Sequence, residues 1–315
     1  MADRCRRVLV IKLGALGDIV QAMGAAAAIR VHHRDAAITF LTTRPYADLA
    51  KAAPYFDAVW IDERPGWRDP GGVLRLRQRL RQARFHRVYD FQTRARTALY
   101  FWLMRSQGRP QWSGIAPGAS HPHRNPARIR MHTLDRQEDQ LRHAGLAGPV
   151  PPPDLSWLAT DPSRFSLVPE YVLLIPGGAP HRPQKRWPLD RYVALAQDLA
   201  AAGLAPVVVG GPEERPLGAA IAAAEPKARD LTGATGFGDI VALGRGARRV
   251  IGNDTGPMHL AVAGGAAATV LYSAVSDPAL TAPRGPDVVI LRRNTLAALS
   301  VAEVAATLRL QSARG

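Results

Sequence analysis

The chain contains one cysteine, Cys5, among 315 residues, which excludes a disulfide framework or a cysteine-built metal site within one copy. Long apolar runs are missing too. Hydrophobic residues make up 47%, yet none of their runs nears the roughly 20 residues a helix needs to span a bilayer. The opening MADRCRRVLVIKLG passes directly into a strand pattern and lacks the long apolar region and small-residue cleavage site of a secretory signal. A cytoplasmic location is the expectation. Aromatics are scarce at 6% and form no stacking signature on a basic stripe, so no nucleic-acid partner is expected. No D-x-D element stands at a strand end and no G-x-S-x-G elbow is present. The usual signs of a metal-dependent sugar-nucleotide site and of a serine hydrolase are therefore lacking. His32, His33, His121, His123, His132 and His143 also lack the paired spacing with carboxylates of a metal site. No metal or other cofactor is expected.

Lysine is confined to Lys12, Lys51, Lys185 and Lys227, so the net charge of +15 is mostly arginine. Genome composition is one source of such a bias. Its physical consequence is attraction to anions, whether phosphorylated ligands or an acidic membrane surface. The densest run is LRLRQRLRQARFHR, residues 74–87, where Leu76, Leu80 and Ala83 fall at helical spacing with arginines around the other faces. A solvated surface helix is the first reading, and peripheral contact with an anionic membrane or an acidic acceptor is the alternative.

What is present is an alternation of strands and helices. RVLVIKL, AAITFLTT, AVWID and HRVYDFQ read as strands, separated by an alanine-rich helix, a helix over PYADLAKAAP and the basic helix. Residues 108–132 read as irregular, LDRQEDQLRHAGL as a helix and PVPPPDLSWLATDPS as a linker. A second alternation follows, with strands at EYVLLIPGG, APVVVGG, RRVIGND, AAATVLYSAV and DVVILRR and a closing helix over 295–312. Two doubly wound α/β domains of similar size are predicted, residues 1–160 and 161–315, facing a central cleft.

The most informative stretch is ARRVIGNDTGPMHLAVAGG, residues 247–265. A short strand breaks into the polar turn Asn253–Gly256, and Pro257 opens a helix that Gly264 and Gly265 end. Helix N-termini bind anions, because their first N–H groups point outward and the dipole favours negative charge. Asp254 and His259 add hydrogen-bonding or acid–base capacity. In KLGALGD, Gly14 and Gly17 allow a tight turn before Asp18, which either caps the next helix or acts as a general base on a hydroxyl. The spacing is not the G-x-G-x-x-G fingerprint. In IPGGAPHRPQKRWP, Gly177 and Gly178 precede Lys185 and Arg186, which either form a charged loop or neutralise a departing diphosphate. Glu213 and Glu214 follow Gly210–Gly211 as ribose ligands or as a dipole-favoured helix start. LTGATG offers Thr235 on a third loop of the same edge.

Taken together, IKLGALGDIVQA, PGGAPHRPQKRWPLDRY, GGPEE, LTGATG, GNDTGPMHLAVAGG and SDPALTAPRG resemble, in order, the bacterial ADP-heptose:lipopolysaccharide heptosyltransferases of glycosyltransferase family 9. The resemblance spans nearly the whole chain. It implies a GT-B fold of two Rossmann-like domains, with acceptor on the first and nucleotide-sugar on the second, and a last helix that crosses back to the first. It implies an inverting, metal-independent reaction. Asp18 then matches the general base, and Lys185, with Arg186 beside it, the diphosphate-binding lysine. Asp254, Thr255, Gly256 and His259 match the loop holding heptose and phosphates. Thr235 falls near adenine, and Glu213 or Glu214 near ribose. Two departures stand out: IVQAMG replaces a Thr-Pro pair at the first helix start, and YSAVSDP replaces F-G-P-T-D-P.

The expected function is transfer of heptose from an ADP-sugar to a lipopolysaccharide inner-core acceptor at the cytoplasmic membrane face. Arg94, Arg96, Arg124 and His132 are the expected contacts to an acidic acceptor. The alternatives are a member using another nucleotide-sugar, or a protein that binds the donor without turnover.

Overall fold

The computed structural model describes residues 5–66, 68–105 and 109–308. The chain divides into two compact units, Met1–Pro153 and Asp154–Gly315. In the first, strands β1 (Arg7–Ile11), β2 (Ala37–Thr42), β3 (Ala58–Ile61), β4 (Arg87–Asp90), β5 (Gln111–Gly114) and β6 (His121–Pro122) alternate with helices. The helices are α1 (Leu16–His32), α2 (Ala47–Ala52), α3 (Pro70–Gln82), α4 (Ala95–Leu103) and α5 (Thr133–His143). The sheet is parallel with order β3-β2-β1-β4-β5-β6. Val10 pairs with Phe40 on one side and Tyr89 on the other, so β1 is central and its Val8–Ile11 are fully buried, as a strand covered on both faces must be.

The second unit contains β7 (Tyr171–Ile175), β8 (Ala205–Val208), β9 (Arg229–Asp230), β10 (Arg249–Asn253), β11 (Ala268–Tyr272) and β12 (Val288–Arg292). Its helices are α6 (Leu189–Ala201), α7 (Arg215–Ala224), α8 (Phe237–Gly246), α9 (Gly256–Ala263), α10 (Pro278–Thr281) and α11 (Val301–Ala306). The order β12-β11-β10-β7-β8-β9 is the first sheet's order again, read from the opposite edge. Both sheets reverse direction between two central strands: β1 and β4 in one, β10 and β7 in the other. In open α/β sheets that reversal leaves a crevice at the carboxyl ends, where ligands bind.

The structure differs from expectation in four places. Residues 154–160, assigned to the first domain, attach to the second: Leu155 N–H donates to Ala263 O at 2.8 Å and Thr160 Oγ1 to Asp239 Oδ1 at 2.7 Å. Of the closing helix, Val301–Ala306 is helical and Leu296, Leu299 and Val304 sit in the second unit's core beside α6; residues 309–312 lie outside the described residues. The irregular segment holds β5 and β6, and α4 precedes it. A short strand, β9, ends at Asp230 immediately before the LTGATG loop.

Candidate functional site

Each switch point collects a lysine and an aspartate. In the first unit, β1 ends at Ile11 and the chain turns at Gly14, whose φ of +134° suits glycine alone; a Cβ there would also stand 3.0 Å from the Tyr46 ring. The turn delivers Asp18 to the first turn of α1. Its Oδ2 accepts the Ala15 N–H at 3.2 Å, and Oδ1 lies 3.6 Å from Lys12 Nζ. Both sequence readings of Asp18 are therefore compatible. It caps the helix, and 41% of its side chain remains in solvent, open to a reacting hydroxyl. Lys12 is buried and donates to Phe91 O at 3.3 Å; burial, only partly opposed by Asp18, lowers its ammonium below the ordinary lysine value. Asp90, at the end of β4, receives the Gln92 and Thr93 N–H groups at 3.0 and 2.9 Å. Burial outweighs these bonds and pushes its carboxyl up to about 6.

Arginines surround this carboxylate pair. Arg136 on α5 is half-buried: burial lowers its guanidinium, Asp18 opposes and Arg94 reinforces the shift. Arg128 behaves alike, under burial and the charge of Arg136, and its Nη2 reaches Thr93 Oγ1 at 3.2 Å. Three guanidiniums, Arg94, Arg128 and Arg136, thus sense one another beside Asp18 and Asp90, an arrangement that favours an anion between them. Of the expected acceptor contacts, Arg94 belongs to this group. Arg124 is exposed on the following loop. Arg96 donates to Tyr100 Oη at 3.3 Å and Pro65 O at 3.4 Å, holding α4 to its own unit. His132 is buried, and its Nδ1 accepts the Leu134 N–H at 3.2 Å as the cap of α5. Arg128 and Arg136 had no local signal, since one sits in a single 3₁₀ turn, Pro126–Ile129, within a proline-rich stretch and the other in an ordinary amphipathic helix.

In the second unit the polar turn Asn253–Gly256 follows β10. Asn253 is fully buried and joins three segments. Its Nδ2 donates to Pro176 O at 2.8 Å and Gly177 O at 3.0 Å, and its Oδ1 accepts from Trp187 N–H at 2.9 Å and Tyr192 Oη at 3.2 Å. It fixes the glycine turn after β7 and the KRWP turn against β10. Thr255 is the N-cap of α9, and its side chain makes no capping bond; Pro257 has no N–H and the Met258 N–H donates to Thr255 O at 3.1 Å, which leaves the Gly256 N–H as the first turn's donor to an anion. A Cβ at Gly252 would stand 2.7 Å from Met258 Sδ and 2.9 Å from Ile175 O, so glycine is what lets α9 lie so close to the sheet.

Lys185, from a 3₁₀ turn at Pro183–Lys185, donates to Asp254 Oδ2 at 2.5 Å; their side chains are 15% and 9% exposed. Burial would raise Asp254, but the Lys185 bond and charge, with the Ser276 and Tyr272 hydroxyls, hold its carboxyl below the usual range. The divergent YSAVSDP loop thus contributes Tyr272 and Ser276 to this site. Arg186 donates to Gly178 O. Glu214 is nearly buried: Oε2 accepts the Gly211 N–H at 2.6 Å, and Oε1 would meet a Cβ at Gly177 at 2.5 Å. Glu213 is exposed beside Gly211. The Thr235 hydroxyl is buried without a hydrogen-bond partner just before α8. His259 is buried in the first turns of α9.

One grouping runs against the spacing argument for histidines. His123, Asp139 and His143 offer ligand atoms all within 4.8 Å of one another. Asp139 is already occupied, taking His123 Nε2–H at 2.7 Å and Asn125 Nδ2–H at 2.8 Å. Burial lowers His123 below the ordinary imidazole value, and its other nitrogen faces Arg128 Nε at 3.4 Å. The trio joins the loop after β6 to α5.

Similarity to known proteins extends over most of the chain. The family model described as glycosyltransferase family 9 (heptosyltransferase) matches residues 73–307. Lipopolysaccharide heptosyltransferase 2 of Salmonella typhimurium is 26% identical over 300 residues, covering 88% of this chain and 85% of that protein. Lipooligosaccharide heptosyltransferase 2 of Haemophilus influenzae is 33% identical over 120 residues, a match to 36% of this chain and 34% of that protein. The structure of E. coli ADP-heptose LPS heptosyltransferase II superposes with a TM-score of 0.77 at 21% identity, over 97% of this chain and 99% of that one. That likeness gives the fold, a two-domain α/β arrangement of the GT-B type. With the family model covering most of the sequence, the chain belongs to glycosyltransferase family 9, the heptosyltransferase family.

Proposed function

We propose that the protein transfers a heptose from an ADP-activated donor to a hydroxyl of a lipopolysaccharide inner-core sugar, with inversion and without a metal, in the cytoplasm. The observation that carries this reading is the division of labour between the two sheets: a solvent-accessible carboxylate at one switch point, and a lysine beside a helix N-terminus at the other. The relatives' names supply the donor and acceptor class.

Asp18 takes the proton from the acceptor hydroxyl as that oxygen attacks the anomeric carbon from the face opposite the diphosphate. The bond from the anomeric carbon to phosphate oxygen breaks, and its electron pair leaves with ADP. Lys185, Arg186 and the N–H groups at Thr255 and Gly256 neutralise the charge that builds there. Asp254 holds Lys185 in place, and His259 lies in the same turn. Thr235 faces the base, and the carboxylates at Glu213 and Glu214 accept from ribose hydroxyls across the Gly177–Gly178 turn. Arg94, Arg128 and Arg136 bind acidic groups of the core, with Arg124 on the same loop as Arg128.

Calorimetric titration with ADP and ADP-heptose, with and without EDTA, tests the donor half. EDTA-insensitive binding that weakens at least about tenfold in Lys185→Ala is expected. Binding of UDP in place of ADP would remove the ADP-heptose assignment, and EDTA-sensitive binding would remove metal independence. The altered YSAVSDP loop favours one competing reading, donor binding without transfer. Single-turnover assays on delipidated inner-core acceptors decide between them, since that reading requires ADP-heptose to bind and no acceptor to be glycosylated.

A further inference from the structure

Helices α3 and α4 lie side by side over one face of the first sheet. Arg81 ties their C-terminal ends, its Nε donating to Leu103 O at 3.1 Å and its Nη2 to Arg105 O at 3.2 Å. Their inner sides bury Leu80, Tyr100 and Phe101 in the core. Their outer sides do the reverse. Leu74 is 59% exposed, Leu99 44% and Trp102 43%. Leu99 and Trp102 stand three residues apart on one stripe of α4, and the guanidinium of Arg105, just past the end of that helix, lies 4.9 Å from the Trp102 ring centre. Between residues 70 and 105 the chain has nine arginines and one acid, Asp90, and Asp90 is buried. The surface is strongly cationic with large apolar side chains set between the charges.

We propose that the outer face of α3 and α4 is a docking surface for an anionic lipid bilayer. Trp102, Leu99 and Leu74 enter the interfacial region, where an amphipathic aromatic ring and leucines are favoured. Arginine stems lie along the acyl boundary while their guanidiniums reach lipid phosphates. Charge selects this occupant over a second copy: on a chain of net charge +15, two such faces would set arginine against arginine, whereas a sheet of phosphates neutralises them. Attachment through this face requires no catalysis.

The test is co-sedimentation of the full chain with vesicles of phosphatidylcholine alone, and of phosphatidylcholine mixed equally with phosphatidylglycerol. Binding is expected only to the anionic vesicles and should weaken as salt is raised. Leu99→Ser combined with Trp102→Ser, and separately Arg75→Glu combined with Arg105→Glu, should each lower it about tenfold while the thermal midpoint stays near wild type. Val168→Ser with Val275→Ser, at exposed apolar positions of the second unit, should leave it unchanged. The charge-reversal pair keeps the test sound if the apolar pair misfolds. Failure to bind anionic vesicles, or binding that neither α3–α4 variant weakens, overturns the proposal. So does a dimer in sedimentation velocity that Leu99→Ser/Trp102→Ser abolishes while vesicle binding persists.

Discussion

At the first switch point Lys12 is buried and Asp18, 3.6 Å away, keeps 41% of its side chain in solvent; at the second, Lys185 and Asp254 stand 2.5 Å apart and are 15% and 9% exposed. The two sheets have the same strand order and the same residue pair, but in the first unit only the lysine is buried and in the second both partners are. In the first unit the lysine is desolvated and the carboxylate is left accessible, so the carboxylate can exchange a proton with a ligand. In the second the carboxylate is withdrawn as well, and its bond with Lys185 holds it below the usual carboxylate range. Solvation rather than residue identity distinguishes the two pairs.

The comparison can be broken most severely at Asp18. Asp18→Asn should lower the single-turnover rate by about 10³-fold while ADP affinity and the melting temperature stay near wild type. A variant turning over at near wild-type rate would move the base elsewhere. Asn253→Ala removes a buried side chain that joins three segments; denaturant titration should show a loss of about 3 kcal/mol, with ADP binding falling as the two turns separate. The lysines sharpen the contrast. Lys185→Met leaves Asp254 buried without its cation and should cost about 3 kcal/mol at neutral pH. Lys12→Met leaves Asp18 in water and relieves a buried ammonium, so the expected loss is about 1 kcal/mol, arising from the orphaned Phe91 carbonyl. Equal losses would show that the two pairs are not differently solvated.

A further effect separates the carboxylates by pH. Asp90 is raised to about 6 by burial, so the folded state binds its proton more tightly than the unfolded chain. Its contribution is complete below about pH 4 and is lost as pH rises through about 6, at most about 3 kcal/mol. Asp254, held below the usual carboxylate range, has the opposite sign: its stabilisation is present above about pH 4 and is lost as pH falls through its folded pKa. Stability curves of Asp90→Asn should flatten between about pH 4 and 6, and those of Asp254→Asn should flatten on the acid side. The reverse pattern would refute the assignment.

Much of the fold could be read from the residues. RVLVIKL and RRVIGND announce central strands because strands buried on both faces must be apolar throughout, and NDTGPMHL announces a helix start through its proline and glycine. Helix α4 escaped notice: its N-cap, Arg94, makes no side-chain capping bond, and its residues form helix through packing of Tyr100 and Phe101 on the sheet. Strands β5, of four residues, and β6 and β9, of two each, are too short to show a period and exist because a neighbouring strand templates them.

The sequence by itself determined the alternation of elements, the two glycine turns, the helix N-terminus after Asp254 and the family resemblance, because each rests on residues adjacent in the chain. Tertiary structure alone decided which groups meet. Lys12 reaches Phe91 O across 79 positions and Lys185 reaches Asp254 across 69, distances that only the sheet order closes. The same holds for Arg136 beside Asp18 and Arg128 beside Asp90, and for the use of His132 as a cap. A carboxylate's solvation is set by the segments folded over it, and local sequence does not encode which segments those are.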